Sequence, residues 1–206
     1  EENKFRKWLE VELAVCEAWR ALGKIGGDAL RKIKRKANFS IKRIGEIEKE
    51  VGHDLIAFLT SVAEYVGKES RFIHLGLTSY DVEDTALALR LRESAQIIAL
   101  DIEDLIKILK KRAREHKNTV MIGRTHGVHA EPITFGLKLA NWIAEMERNL
   151  ERMKRIQKIV GVCKISGAVG TYANLDPRVE EIVCKKLNLE KDPASTQVVS
   201  RERHAE

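Results

Sequence analysis

The stretch DVEDTALALRLRESAQIIALDIEDLIKILKKRAREH, residues 81–116, is the longest helical pattern in the chain and gives the strongest indication of its fold class. Its residues Ile98, Ile102, Leu105 and Leu109 recur at intervals of four and three, which predicts a helix on the order of 50 Å long. Further leucines and isoleucines widen the apolar surface beyond this one face. Since such a helix is covered by several neighbours, the stretch predicts a bundle of long helices, covered by partner subunits or by sequence outside this chain.

The segments around this stretch also have helical patterns. Shorter amphipathic helices are predicted before it, two of them capped by Ser40 and Asp54, and a second long helix is predicted over residues 134–160. Asp176 followed by Pro177 is a typical start of a further helix. The sequence therefore predicts an all-α fold. A small helical N-terminal domain is expected over residues 1–76, and the first part of a central long-helix bundle over residues 77–206.

Composition excludes several classes of protein. Charged residues make up 33% of the 206 residues and the net charge is +6, but the basic run at residues 31–36 lacks interleaved aromatic residues and any nucleic-acid-binding motif. The three cysteines are scattered, which favours a reducing compartment. No apolar run is long enough to cross a membrane. We therefore expect a cytoplasmic protein that binds neither nucleic acid nor membrane.

The segment GRTHGVHAEP, residues 123–132, carries the strongest chemical signal. It places two histidines, an arginine, a threonine and a glutamate between two long helices, and its glycines permit close backbone approach. An imidazole has a pKa suited to proton transfer near neutral pH, so His126 is a candidate acid or base. His126 and His129 could instead be metal ligands, but no cysteine or third histidine has a supporting spacing. We therefore predict a site-forming loop without a metal.

Polar residues occur at other helix boundaries as well. Gly52-His53-Asp54, Thr78-Ser79 and Gln197 each lie where backbone N–H groups without partners can bind anions. Taken one at a time, each is also compatible with an ordinary capping or structural role. Their combination favours one site that is built from several loops.

Four motifs together carry a family resemblance. Residues 123–132, with TSYDVEDTA at 78–86, ISGAVGTYAN at 165–174 and the segment 195–205, resemble the adenylosuccinate lyase family of the fumarase/aspartase superfamily. The resemblance covers essentially the whole chain. Other branches of the superfamily share the histidine but usually continue differently after it.

The resemblance implies a C–N lyase of purine biosynthesis. Such an enzyme releases fumarate by β-elimination from adenylosuccinate, giving AMP, and from succinylaminoimidazole carboxamide ribotide. It needs no cofactor, binds a small nucleotide substrate, and forms a homotetramer whose active sites are shared between subunits. The superfamily fold agrees with the long-helix bundle predicted above.

The resemblance also assigns roles to individual residues. It makes His126 the general acid and His53 a supporting residue. The implied substrate-binding residues are Gly52, His53, Asp54, Thr78, Ser79, Thr125 and Gln197, with Thr78 and Ser79 at the succinyl carboxylates. It assigns His74 a less direct role.

One part of the family's machinery does not occur in residues 1–206. The catalytic base of the family is a serine in a flexible S-S-x-M-P-x-K-x-N loop, and this sequence contains no such loop. We therefore expect the rest of the bundle and a C-terminal domain to lie outside this chain, and the chain alone to be inactive. Two alternatives remain: another fumarate-releasing lyase, of argininosuccinate lyase, aspartase or fumarase type, or a non-catalytic helical fragment.

Overall fold

A computed structural model describes residues 1–205; Glu206, at which the second predicted domain ends, lies outside the described residues. Most of the described chain is helical, so the predicted all-α class is confirmed. The described residues form two compact units: Glu1–Leu91 together with the residues from Ile159 onward, and Arg92–Lys158. The predicted domain boundary between residues 76 and 77 stays a prediction.

The described chain contains helices and a few short strands. In chain order they are α1 (Glu2–Ala21), α2 (Gly27–Lys36), α3 (Ile41–Val51), α4 (Asp54–Val66), a 3₁₀ helix (Gly67–Phe72), α5 (Ser79–Glu115), β1 (Val120–Thr125), β2 (Val128–Thr134), α6 (Phe135–Val160), β3 (Val162–Cys163), α7 (Pro177–Leu187), β4 (Glu190–Lys191) and α8 (Glu202–Ala205). Strands β3 and β4 form a short parallel pair. Every helix among residues 1–205 lacks the combination of length and apolar character needed to cross a membrane.

The core of the first unit is built around aromatic side chains. Phe5 and Trp8 of α1 are buried one turn apart and contact Phe58 of α4, with ring centroids 5.8 Å and 5.5 Å from it. Burying a large apolar side chain stabilises a fold by about 1.5–3 kcal/mol. The same unit also buries α7 against α1, so the residues after Ile159 return to the first helix of the chain.

Two of the predicted helix caps are confirmed and one is wrong. The side chains of Ser40 and Asp176 accept hydrogen bonds from the backbone N–H groups of the helices that they precede, as predicted. Asp54 is not the N-cap of α4, because its backbone is already helical. The N-cap is His53, which has an extended backbone and whose Nδ1 accepts from the N–H of Ile56 at 3.5 Å.

The predicted loop at residues 123–132 is wrong, because most of this segment forms a β-hairpin. Strands β1 and β2 are antiparallel, with Val120 opposite Thr134 and Thr125 opposite Val128. The register shifts next to Gly123, where an added Cβ would lie 2.5 Å from the carbonyl oxygen of Glu131. The strands are rich in β-branched residues, which favour extended backbone once a partner strand is present.

Candidate active site

Thr78 and Ser79 lie at the start of the longest helix. Ser79 is the first residue of α5, and both side chains are partly buried. The backbone N–H of Thr78 donates to Oδ2 of Asp81 at 2.9 Å, and the N–H of Asp81 donates to the carbonyl of Thr78 at 3.0 Å. The first turn of a helix offers N–H groups without intrahelical acceptors, which suits an anionic ligand.

The glycine-rich turn after β3 is held against this helix start. Oδ1 of the buried Asp81 accepts hydrogen bonds from the N–H groups of Ser166 and Gly167, each at 3.1 Å. Further along the turn, Gly170 has a φ of 81°, and an added Cβ would lie 2.0 Å from the carbonyl oxygen of Ser195. Only glycine allows this close approach, which places the segment carrying Gln197 beside the turn.

A second carboxylate of α5 fixes the segment around Gln197. Oδ2 of Asp84 accepts from the N–H of Val199 at 2.8 Å, and the Arg201 guanidinium lies 3.0 Å from Oδ1. Asp84 is buried, whereas Gln197 is exposed. The helix therefore fixes the backbone on the C-terminal side of Gln197 and leaves the amide side chain at the surface.

The Gly52-His53-Asp54 loop lies near the same turns of α5. Gly52 ends α3 with a left-handed φ of 66°, and Asp54 forms an ion pair with Lys4 at 3.3 Å. Burial raises the pKa of Glu83 on α5, and the negative charge of Asp54 raises it further. The charges of Asp54 and Glu83 therefore lie close enough to affect each other. Asp81 and Asp84 of α5 thus form hydrogen bonds with two segments that carry predicted site residues, those of Thr78 and Gln197.

Thr125 and His126 belong to the second unit, at the tip of the hairpin. Thr125 ends β1, and His126 occupies the turn with a φ of 53°, followed by Gly127 with a φ of 75°. The His126 side chain is exposed, and its Nδ1 lies 3.0 Å from Oγ1 of Thr125. The hairpin therefore presents an imidazole and a hydroxyl group together at its surface.

Sequence reasoning missed the residues that hold these loops. Lys164 is fully buried, and its Nζ lies 2.6 Å from Oδ1 of Asp81. The position of Lys164 between Cys163 and Ile165 could have indicated this ion pair, because a charged residue within an apolar run requires a buried partner of opposite charge. Neither Asp81 nor Asp84 stands out, because acidic residues in the first turns of a helix are common.

The described residues contain no cluster of three His, Cys, Asp or Glu side chains that could hold a metal ion. The polar groups around the start of α5 are instead ion-paired carboxylates, hydroxyl groups and backbone N–H groups. Such a set can bind and orient an anionic organic substrate, and an exposed imidazole can exchange a proton with one.

This arrangement can be compared with known proteins. A family model described as "Lyase" matches residues 1–206, and the chain belongs to that family. Among curated relatives, the chain is 59% identical over 203 residues to an adenylosuccinate lyase of Synechocystis sp., which covers 98% of this chain and 47% of the relative. It is 54% identical over 206 residues to the adenylosuccinate lyase of Bacillus subtilis, which covers 100% of this chain and 48% of the relative. The predicted resemblance to adenylosuccinate lyases is therefore confirmed.

Solved structures of related proteins share the fold. A fumarate lyase from Mesorhizobium sp. matches with a TM-score of 0.90 and 32% identity, over 98% of this chain and 49% of that one. A 3-carboxy-cis,cis-muconate lactonizing enzyme from Pseudomonas putida matches with a TM-score of 0.87 and 26% identity, over 97% and 48% of the two chains. The chain spans about half the length of the curated relatives that it matches.

Proposed function

We propose that the natural full-length protein containing this chain is a C–N lyase that cleaves adenylosuccinate to AMP and fumarate. The observation that carries the proposal is the identity of 54–59% to adenylosuccinate lyases along the whole chain. The geometry supports the proposal: hydroxyl residues lie at the start of a long helix, and a hairpin presents an exposed imidazole. We extend the proposal to succinylaminoimidazole carboxamide ribotide, the second purine-pathway substrate of the family.

In the proposed mechanism, His126 protonates the departing nitrogen of the nucleobase. A base removes the proton from the carbon beside a carboxylate, and negative charge then grows on that carboxylate. Thr78, Ser79 and the first N–H groups of α5 bind the succinyl carboxylates, and donors aimed at developing charge supply a large part of the rate enhancement. An imidazole needs little adjustment of its pKa for this role. Residues 1–206 lack the serine loop of the family, so the base comes from elsewhere in the full-length protein.

The remaining predicted residues have binding roles in this proposal. Gly52, His53 and Asp54 form a loop at the nucleotide part of the substrate, with His53 supporting the acid. Thr125 contacts the substrate beside His126, and the exposed amide of Gln197 provides both hydrogen-bond donors and an acceptor. We also propose that the protein acts in the cytoplasm, without a cofactor, as a homotetramer whose subunits share active sites.

The proposal is tested by substituting the two histidines of the hairpin separately. His126→Ala in the full-length protein is expected to lower kcat for adenylosuccinate cleavage by about 10²–10⁴-fold, measured by the loss of adenylosuccinate absorbance. His129→Ala is the matched control, because His129 is also exposed and lies three residues away on β2. Near-normal turnover by His126→Ala would contradict its assignment as the acid.

A substrate panel separates this proposal from the alternative within the superfamily. The structural match to a protein named fumarate lyase favours testing argininosuccinate and aspartate beside adenylosuccinate. Fumarate release from either of these, but not from adenylosuccinate, would replace the proposed substrate. Activity of the 206-residue chain beside the full-length protein tests the expectation that the chain alone is inactive.

A further inference from the structure

A fully buried ion pair lies directly behind the start of α5. Lys164 and Asp81 both have no exposed side-chain surface, and they are 83 positions apart in the sequence. Nζ of Lys164 lies 2.6 Å from Oδ1 of Asp81 and donates a second hydrogen bond to the carbonyl of Gly167, also at 2.6 Å. The ammonium group therefore joins the helix start to the glycine-rich turn.

Asp81 fixes the backbone on both sides of this junction. One of its oxygens accepts from the N–H of Thr78, and the other accepts from Ser166 and Gly167 in addition to Lys164. A carboxylate with this many donors has little freedom to move. The Asp81 side chain thus holds the backbone at Thr78 through one oxygen and the glycine-rich turn through the other.

Stability alone is a weak reason to bury these two charges. Desolvating an ion pair costs free energy that the attraction between the charges often does not recover, and proteins in which apolar residues replace a buried pair are frequently as stable.

The electrostatics of anion binding give a second reason for the pair. The positive end of a helix dipole attracts anions, but a nearby carboxylate without a counter-charge would repel them. A buried lysine removes that repulsion and does not occupy the ligand's place.

We propose that Lys164 is a positioning residue that neutralises Asp81, so that the start of α5 binds the dicarboxylate part of the substrate. This inference rests on the proposed function, because it concerns the same Thr78–Ser79 segment. Lys164 acts through Asp81 and through the backbone, and it does not touch the substrate itself. It contributes to the affinity for the succinyl and fumarate carboxylates in particular, and much less to the affinity for the nucleotide part.

The test compares two ligands that occupy different parts of the site. Binding of fumarate and of AMP is measured on the full-length protein, together with KM and kcat for adenylosuccinate. Lys164→Met leaves the Asp81 charge without its partner, whereas Asp81→Asn combined with Lys164→Met removes both charges. Lys191→Met is the matched control, because Lys191 pairs with the buried Glu180 at 2.8 Å but makes no contact with Asp81.

Lys164→Met is expected to weaken fumarate binding and raise KM by about tenfold or more, with AMP binding nearly unchanged. The charge-neutral double variant is expected to recover much of the fumarate affinity, and Lys191→Met to keep both affinities. Equal losses for fumarate and AMP, or unchanged fumarate binding, would overturn the inference. If Lys164→Met does not fold, the double variant decides: near-normal fumarate binding supports charge neutralisation, and a loss of fumarate affinity contradicts it. Absence of lyase activity in the unsubstituted protein would instead overturn the proposed function.

Discussion

At the scale of single residues, the backbone of His126 is as informative as its imidazole. His126 and Gly127 form the two-residue turn of the hairpin, and both have positive φ. Such turns favour Asn-Gly, because asparagine and glycine tolerate left-handed backbone better than most residues do. A histidine at the first turn position is therefore better explained by chemistry than by local stability.

This interpretation predicts opposite effects of one substitution on stability and on activity. His126→Asn is expected to stabilise the hairpin by up to about 1 kcal/mol and to abolish lyase turnover, because asparagine suits the turn but cannot act as the acid. Thermal unfolding and adenylosuccinate cleavage measure the two effects. His126→Ala is the comparison, expected to lose turnover without the gain in stability. An active His126→Asn variant would contradict the proposed role.

At the scale of elements, the end of α5, the hairpin and the start of α6 are held together by close backbone contacts. The N–H of Gly136 donates to the carbonyl of His116 at 2.9 Å, and the N–H of Phe135 donates to the carbonyl of Thr119 at the same distance. A Cβ on Gly136 would lie 2.7 Å from the carbonyl oxygen of Ala113. This glycine therefore permits the contact that places the hairpin beside the two helices.

Two glycine-to-alanine substitutions in helices are expected to differ in sign. Gly136→Ala should destabilise the fold by about 1–3 kcal/mol, because the new methyl group meets backbone atoms that cannot move independently. Gly45→Ala, in α3, has nothing within 4 Å of the added Cβ and should stabilise by about 0.5–1 kcal/mol. Chemical denaturation of both variants measures the difference. Equal effects would mean that the close approach at Gly136 is unimportant.

At the scale of the whole molecule, the middle of α5 carries a large apolar surface. Ile97 is 62% exposed, Leu100 51% and Ile108 59% in the single chain. Several exposed large apolar residues on one helix are typical of protein–protein interfaces. It supports the proposed homotetramer, in which neighbouring subunits cover this helix.

The proposed assembly is tested by adding a charge to that surface. Ile108→Lys is expected to raise the dissociation constant of the tetramer by about 30-fold or more, because a lysine would be buried at the interface. Sedimentation velocity of the full-length protein measures the change. Ile41→Lys, on α3 with 39% exposure, is the control and should leave the assembly intact. A tetramer unaffected by Ile108→Lys would exclude this face of α5 from the interface.

The helices, two of the three predicted helix caps and the family could all be predicted from the sequence. Apolar residues three and four positions apart, the Ser40 and Asp176 side chains and the motif around His126 are local signals, and local signals suffice for these features. The catalytic and substrate-binding roles rest on the family resemblance, and they stay predictions.

The contacts between segments far apart in the sequence could not be predicted and are visible only in the folded chain. Strands β1 and β2 pair to form the hairpin, and His53 rather than Asp54 caps α4. Lys164 pairs with Asp81, which lies 83 positions away in the sequence. The physical reason is that a buried charge and a paired strand are stabilised by partners far along the chain. The spacing of apolar residues within one segment does not indicate which distant residues these partners are.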